Sequence, residues 1–164
     1  MRQHRWGNTM DFDKVFENLF VGSHPESSDD IDGLKELGIT AVLNLQTNDD
    51  FRYLGIDWPA QRARYFARHL EVRRVPIEDF DDDALREKLP GAVLELDGLL
   101  EDDHVVYVHC SAGINRSASV VIGYLHWVRD WSLEEAELYV RKRHDCMPVT
   151  GAIRMAVWER RRAT

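Results

Sequence analysis

The stretch VVYVHCSAGINRSASVVIGYLHWV, residues 105 to 128, constrains this chain more than any other. It opens with a short apolar run, HVVYVH (104–109), which predicts a buried strand. It closes in SASVVIGYLHWVRD, apolar nearly all round, as expected of a helix enclosed in the centre of a domain. Between the two lies a turn running from Cys110 to Arg116. A strand-to-helix turn of this kind directs several backbone N–H groups into one concavity, and the helix N-terminus adds partial positive charge. The expected result is an anion cradle. Gly113 permits a backbone conformation closed to bulkier residues, and Arg116 carries a planar fork that matches two oxygens of a phosphate.

Around this unit, short β-type runs alternate with longer helical ones. NLFVG (18–22) precedes a helix that Ser28 or Asp29 caps and that ends near Gly38. ITAVLNLQ (39–46) reads as a second buried strand, and the loop TNDDFRYLGID leads to a helix in PAQRARYFARHL and a strand in EVRRVPI (71–77). EDFDDDALREKL opens a helical region that Pro90-Gly91 is expected to interrupt before AVLELDGLL. Ser132 and Glu135 form a capping box for the next helix, and a last helix runs through TGAIRMAVWERRR. The alternation predicts an α/β layer fold whose central, mostly parallel sheet of about four to five strands is flanked by helices. At 164 residues without a linker or repeat, residues 1–164 are expected to form one domain.

A sulfur at a helix N-terminus beside a guanidinium is favoured as thiolate, the nucleophilic form, so Cys110 is the candidate nucleophile. The loop amides of Ser111, Ala112, Gly113, Ile114 and Asn115, together with Arg116, would stabilise charge on a phosphoryl group in the transition state. No GxxxxGK[ST] motif is present, which points to a phosphate that is substrate rather than nucleotide tail. His109, Cys110, Arg116 and Ser117 in HCSAGINRS resemble the signature loop of cysteine-dependent protein tyrosine phosphatases, and the small size resembles their dual-specificity branch. The resemblance implies metal-independent hydrolysis through a phosphocysteine, with no cofactor. Ser117 would assist release of the sulfur, and His109 would support the loop from behind. It also implies a carboxylic acid on an upstream loop to protonate the leaving group. Asp79, 31 residues before Cys110, is the first candidate; Asp81, Asp82 and Asp83 are rivals, or alternatively caps of the following helix.

LFVGSHPESSDDIDGLKELGITAVLNLQ, DDFRYLGID, PIEDFD and CMPVTGAIR together resemble the glucan phosphatases, the starch-excess type of plants and, more distantly, laforin, over about residues 12 to 160. That resemblance implies aromatic platforms for sugar rings at Phe12, Tyr53 and Phe80; taken singly, each is an ordinary packing residue. Leu54 stands where the group has a second aromatic, and Asn115 stands where its loop has a second glycine. The loop thus favours a phosphoprotein substrate, and the surrounding chain a phosphoglucan. A phosphate-binding pseudophosphatase and arsenate- or sulfur-transfer chemistry on a similar loop are the remaining alternatives.

The formal charge of −8 gives no support to nucleic-acid binding, and no apolar run is long enough to span a bilayer. Two cysteines are too few for a disulfide scaffold, so a cytoplasmic, reducing setting is expected. Cys146 reads as a core or loop residue; pairing with His144 at a metal or with Cys110 in a regulatory disulfide is the alternative, and no metal is expected. ERRRAT reads as a frayed basic terminus.

Overall fold

The computed structural model describes residues 10–159. Its strands are β1 (Phe12–Phe16), β2 (Leu19–Gly22), β3 (Ala41–Asn44), β4 (Glu71–Arg74) and β5 (Val106–His109). The helices are α1 (Ser28–Glu36), α2 (Asn48–Leu54), α3 (Trp58–Ala67), α4 (Asp82–Glu101), α5 (Arg116–Trp127), α6 (Leu133–Arg143) and α7 (Thr150–Met155). One sheet runs in the order β1-β2-β5-β3-β4; β1 pairs antiparallel with β2 and every other pairing is parallel. The expected α/β fold with a five-stranded, mostly parallel sheet is borne out. β5, the predicted strand at the head of the cradle, lies at its centre.

Alternation along the strands divides two cores. Leu19, Val21, Ala41, Leu43, Val106 and Val108 face a cluster built with Leu89, Val93 and Leu96 of α4 and Val121 and Leu125 of α5. Phe20, Val42 and Tyr107 face the other side, where Ile31 and Leu34 of α1 and Tyr65 of α3 cover the sheet. The central strands β2, β5 and β3 are buried on both faces and nearly continuously apolar, whereas the edge strands β1 and β4 carry Asp13 and Lys14, and Glu71, Arg73 and Arg74.

Several boundaries differ from expectation. The cap of α1 is Ser27, whose side chain accepts from the Asp30 N–H while Asp30 returns the bond. The segment read as a loop at 47–57 contains α2, opened by an equivalent capping box between Thr47 and Asp50. Pro90 does not interrupt α4, which is continuous through it. The buried face of Leu85, Leu89, Ala92, Val93, Leu96 and Leu99 holds the helix together across the missing N–H. α7 is shorter than expected, ending at Met155, and β1 was not anticipated. The basic terminus lies largely outside the described residues.

Candidate active site

The loops at the carboxyl ends of β2, β3, β4 and β5 converge over the centre of the sheet, where α/β folds place their ligands. Cys110 leaves β5 in its inward register and is 2% exposed, with its Sγ 3.3 Å from Ser117 Oγ at the start of α5. The chain between them wraps tightly. Gly113 has φ +77°, and a Cβ there would lie 2.5 Å from the Gly22 carbonyl carbon and 2.7 Å from the Ser23 nitrogen, so only glycine fits.

The peptide carbonyls of this loop are held from outside. Cys110 C=O accepts from His109 Nδ1 at 2.8 Å, and Ser111 C=O from the His24 N–H at 3.0 Å. Gly113 C=O meets His144 Nε2 at 2.6 Å, and Ile114 C=O accepts from the Met147 N–H at 2.9 Å. Asn115 C=O accepts from the Ser119 hydroxyl at 2.7 Å and the Ser119 N–H at 3.0 Å. In a trans peptide the N–H points opposite its carbonyl. The amides of Ser111, Ala112, Ile114, Asn115 and Arg116 are therefore turned away from these anchors, toward the concave side.

Burial drives the pKa of His109 down to about 3, so the ring is neutral, carries its proton on Nδ1 and leaves Nε2 buried without a partner. Arg116, 2% exposed, donates from Nη1 to Asp50 Oδ2 at 2.7 Å and to the Ile77 carbonyl at 2.9 Å, and from Nη2 to Asp50 Oδ1 at 3.2 Å. Asp79 Oδ2 lies 3.2 Å from the same Nη2. Burial opposes the guanidinium charge, but Asp50, Cys110 and Asp79 outweigh it and hold the group above the usual arginine value. Burial likewise pushes Asp50 up, while the Arg116 and Thr47 hydrogen bonds bring it below the usual carboxylate range.

Asp50 was not singled out from the sequence. Its carboxylate caps α2, accepts from Ser111 Oγ at 3.1 Å and grips the end of Arg116. The Thr47-x-x-Asp50 capping pattern was the available signal. Also missed was the strap from His144 to Val149, which touches the loop through His144, Met147 and, via Ser119, Val149.

Over the loop opens a cleft of about 710 Å³, bordered by Ser111, Ala112, Asp50, Asp79, Tyr53 and Phe80. Tyr53 and Phe80 are each 90% exposed, and Leu54 beside them is 38% exposed. Phe12 is not at this rim. It is fully buried, tilted against Phe20 and edge-on to Tyr107, because β1 turns it into the core beneath the sheet. Asp81 caps α4, accepting from the Ala84 N–H, and Asp82 and Asp83 occupy its first turn, so all three have the helix-start role. Both nitrogens of His144 are engaged, by Asp13 and Gly113, which leaves no ligand atom for a metal shared with Cys146. Cys110 and Cys146 are both free thiols, and burial pushes Cys146 up to about 11.

The chain resembles known proteins over most of its length. It is 40% identical over 152 residues to a chloroplastic phosphoglucan phosphatase of Arabidopsis thaliana, covering 92% of this chain and 25% of that protein. It is 34% identical over 142 residues to laforin of Mus musculus (80% and 43%), and 32% over 130 residues to human dual specificity protein phosphatase 2 (79% and 37%). The chain thus spans a quarter to less than half the length of these relatives. The fold matches the crystal structures of a Cydia pomonella phosphatase, PTP-2, with a TM-score of 0.70, 23% identity and 87% and 86% of the two chains covered. It also matches a human tyrosine phosphatase-like serine/threonine/tyrosine-interacting protein, at 0.69, 23%, 87% and 91%. Among the described residues no helix is long and apolar enough to cross a membrane. The family profile "Dual specificity phosphatase, catalytic domain" spans residues 19–160, so the strand, loop and helix around Cys110 belong to a cysteine-based phosphatase domain of the dual specificity family.

Proposed function

We propose that this domain hydrolyses phosphate monoesters carried on a polysaccharide, through a phosphocysteine. Cys110 thiolate attacks phosphorus, the bond to the leaving oxygen breaks, and Asp79 delivers a proton to that oxygen. Water then attacks phosphorus, Asp79 takes its proton, and the sulfur leaves as thiolate assisted by the Ser117 hydroxyl. Asp50 clamps the Nη1/Nη2 edge of Arg116, so an incoming phosphate takes the Nε/Nη2 edge and displaces Asp79 from Nη2. The displaced carboxyl is then free to reach the leaving group. A domain that only bound phosphate would have no use for this set of nucleophile, acid and hydroxyl.

The observation that carries the substrate class is the pair Tyr53 and Phe80, two aromatic side chains 90% exposed that border one cleft. Rings left this open are suited to stacking on flat, neutral faces such as those of sugars. Among the described residues the cleft border also holds Asp11, Glu26, Asp49, Asp50, Glu78 and Asp79 and no lysine or arginine, an environment that disfavours an acidic phosphopeptide. The name of the Arabidopsis relative points the same way. This reverses the order the sequence suggested, in which phosphoprotein stood first. The phosphoprotein reading keeps one observation in its favour, the identity with the human dual specificity protein phosphatase over the same segment. We take residues 1–164 as a single catalytic domain. Its free thiols fit a reducing compartment, whether cytoplasm or plastid.

The test is phosphate release in the presence of EDTA by wild type and Cys110→Ser from para-nitrophenyl phosphate, a phosphotyrosine peptide and solubilised phosphoglucan. Turnover by wild type alone, fastest on phosphoglucan, is the expected result. Faster turnover of the peptide would replace glucan with protein as substrate, and activity in Cys110→Ser would overturn the thiolate mechanism.

A further inference from the structure

Among the anchors that hold the loop carbonyls, His144 differs in kind. The others are backbone N–H groups, a serine hydroxyl and the neutral ring of His109. His144 is 97% buried and stands between two acceptors: Asp13 Oδ2 is 2.8 Å from Nδ1, and the Gly113 carbonyl is 2.6 Å from Nε2. A neutral imidazole has one N–H and one lone pair, so it can satisfy only one of these partners. Only the imidazolium donates to both.

We propose that protonated His144 is a clamp on the phosphate loop, a positioning residue that keeps the Gly113–Ile114 peptide turned for anion binding. The proposal rests on the reading of residues 110–117 as the phosphate-binding loop. With the proton present, the Gly113 carbonyl is held outward and the Ile114 N–H is directed to the substrate side. With the proton lost, one ring nitrogen faces an oxygen lone pair to lone pair. The ring then keeps either Asp13 or the Gly113 carbonyl, and the loop peptide is released or destabilised.

The surrounding charges favour the imidazolium. From β1 and the residue before it, Asp13 and Asp11 face the ring. On its own segment Arg143 is turned away, onto the Tyr139 carbonyl and ring; Asp145 adds negative charge; and the Cys146 thiol is uncharged near neutrality. On the loop, Arg116 is engaged by Asp50, Asp79 and the Ile77 carbonyl, and Cys110 Sγ lies against Ser117 Oγ. Burial penalises the charge on His144, yet the Asp13 and Gly113 bonds outweigh it and place the group above its ordinary value. A raised folded value means that the clamp is complete at and below about pH 6.5 and is lost as pH rises through the folded value.

The experiment compares wild type with His144→Gln, which carries no charge at any pH. Initial rates on para-nitrophenyl phosphate are measured across the neutral to alkaline range. The ratio of wild-type to variant kcat/KM is expected to be about tenfold on the acidic side and to fall toward one on the alkaline side. A ratio independent of pH would assign His144 a purely structural role and overturn the proposal. Should the variant fail to fold, the wild-type protein carries the test: the ring nitrogen resonances of His144 are followed against pH with and without tungstate, an oxyanion of constant charge over this range. Reciprocity requires bound tungstate to raise the His144 titration, and an unmoved titration would refute the clamp. Failure of the catalytic reading shows itself separately, as wild-type protein inert toward para-nitrophenyl phosphate in which tungstate still shifts His144.

Discussion

Phe80 sits in the left-handed backbone region at φ +57°, with its ring 90% exposed. For a bulky side chain this conformation costs about 1 kcal/mol, and no packing inside the domain offsets it. The backbone here is tied locally, the Phe80 N–H donating to Asp79 Oδ1 at 3.1 Å, and the proposed platform role has the ring held out for a ligand. Phe80→Gly is therefore expected to leave thermal stability unchanged or raise it by up to about 1 kcal/mol, while phosphoglucan turnover falls about tenfold and para-nitrophenyl phosphate turnover does not. Equal losses on both substrates would remove the platform reading. Asp50 is the opposite kind of residue, mostly buried and bonded on every side. Removing one partner of such a pair leaves the other charge uncompensated, so Asp50→Asn should cost about 3 kcal/mol at neutral pH. Its depressed folded value means that this contribution exists above about pH 4 and is lost as pH falls through the folded value. Urea titrations of both proteins should show the gap closing in acid; a gap that stayed constant would show that the ion pair is not its source.

Among the elements, α4 is the one whose local sequence argues against its structure. Pro90 removes an N–H from the middle of the helix and leaves the Arg86 carbonyl without its helical donor. Local signals alone predict a break here. The helix continues because Leu89, Val93 and Leu96 are fully buried on either side of the proline, and the core they enter outweighs one lost bond. Pro90→Ala should accordingly stabilise the domain by about 1 to 3 kcal/mol, read as a rise of several degrees in Tm. A drop in Tm would mean that the ring itself packs productively. α2 makes the complementary point. Its seven residues carry little amphipathic signal, so 47–57 read as a loop, although Thr47 and Asp50 already spelled a helix start.

At the scale of the molecule, charge and cleft act together. The chain carries a formal −8, and six carboxylates border the cleft together with Ser111 and Ala112 of the loop. A phosphorylated ligand must cross this acidic rim. Added salt screens that barrier, so kcat/KM for an acidic phosphopeptide should rise several-fold as ionic strength increases from about 0.01 to 0.15 M, while that for phosphoglucan changes little. A decrease for the peptide would show that the field at the cleft mouth is not repulsive.

What the sequence determined by itself was the local unit at its centre. HVVYVH-CSAGINR-S dictates strand, turn and helix through β-branching, a glycine and spacing, and it places Cys110, Arg116 and Ser117 within a few residues of one another. Chain neighbours need no tertiary information to meet. His109 and Ser119 hold two loop carbonyls locally, but the remaining groups that aim the site come from distant segments: Asp50, 66 residues away, on Arg116; His144, 31 residues away, on Gly113; and Asp13, 131 residues away, on His144. Only the sheet order β1-β2-β5-β3-β4 brings them together, because it sets β5 between β2 and β3 and so decides which loops adjoin the cradle. The same packing settled the aromatic residues. Phe12 and Phe80 are alike in the sequence, but β1 turns the first into the core and the loop after β4 leaves the second in solvent.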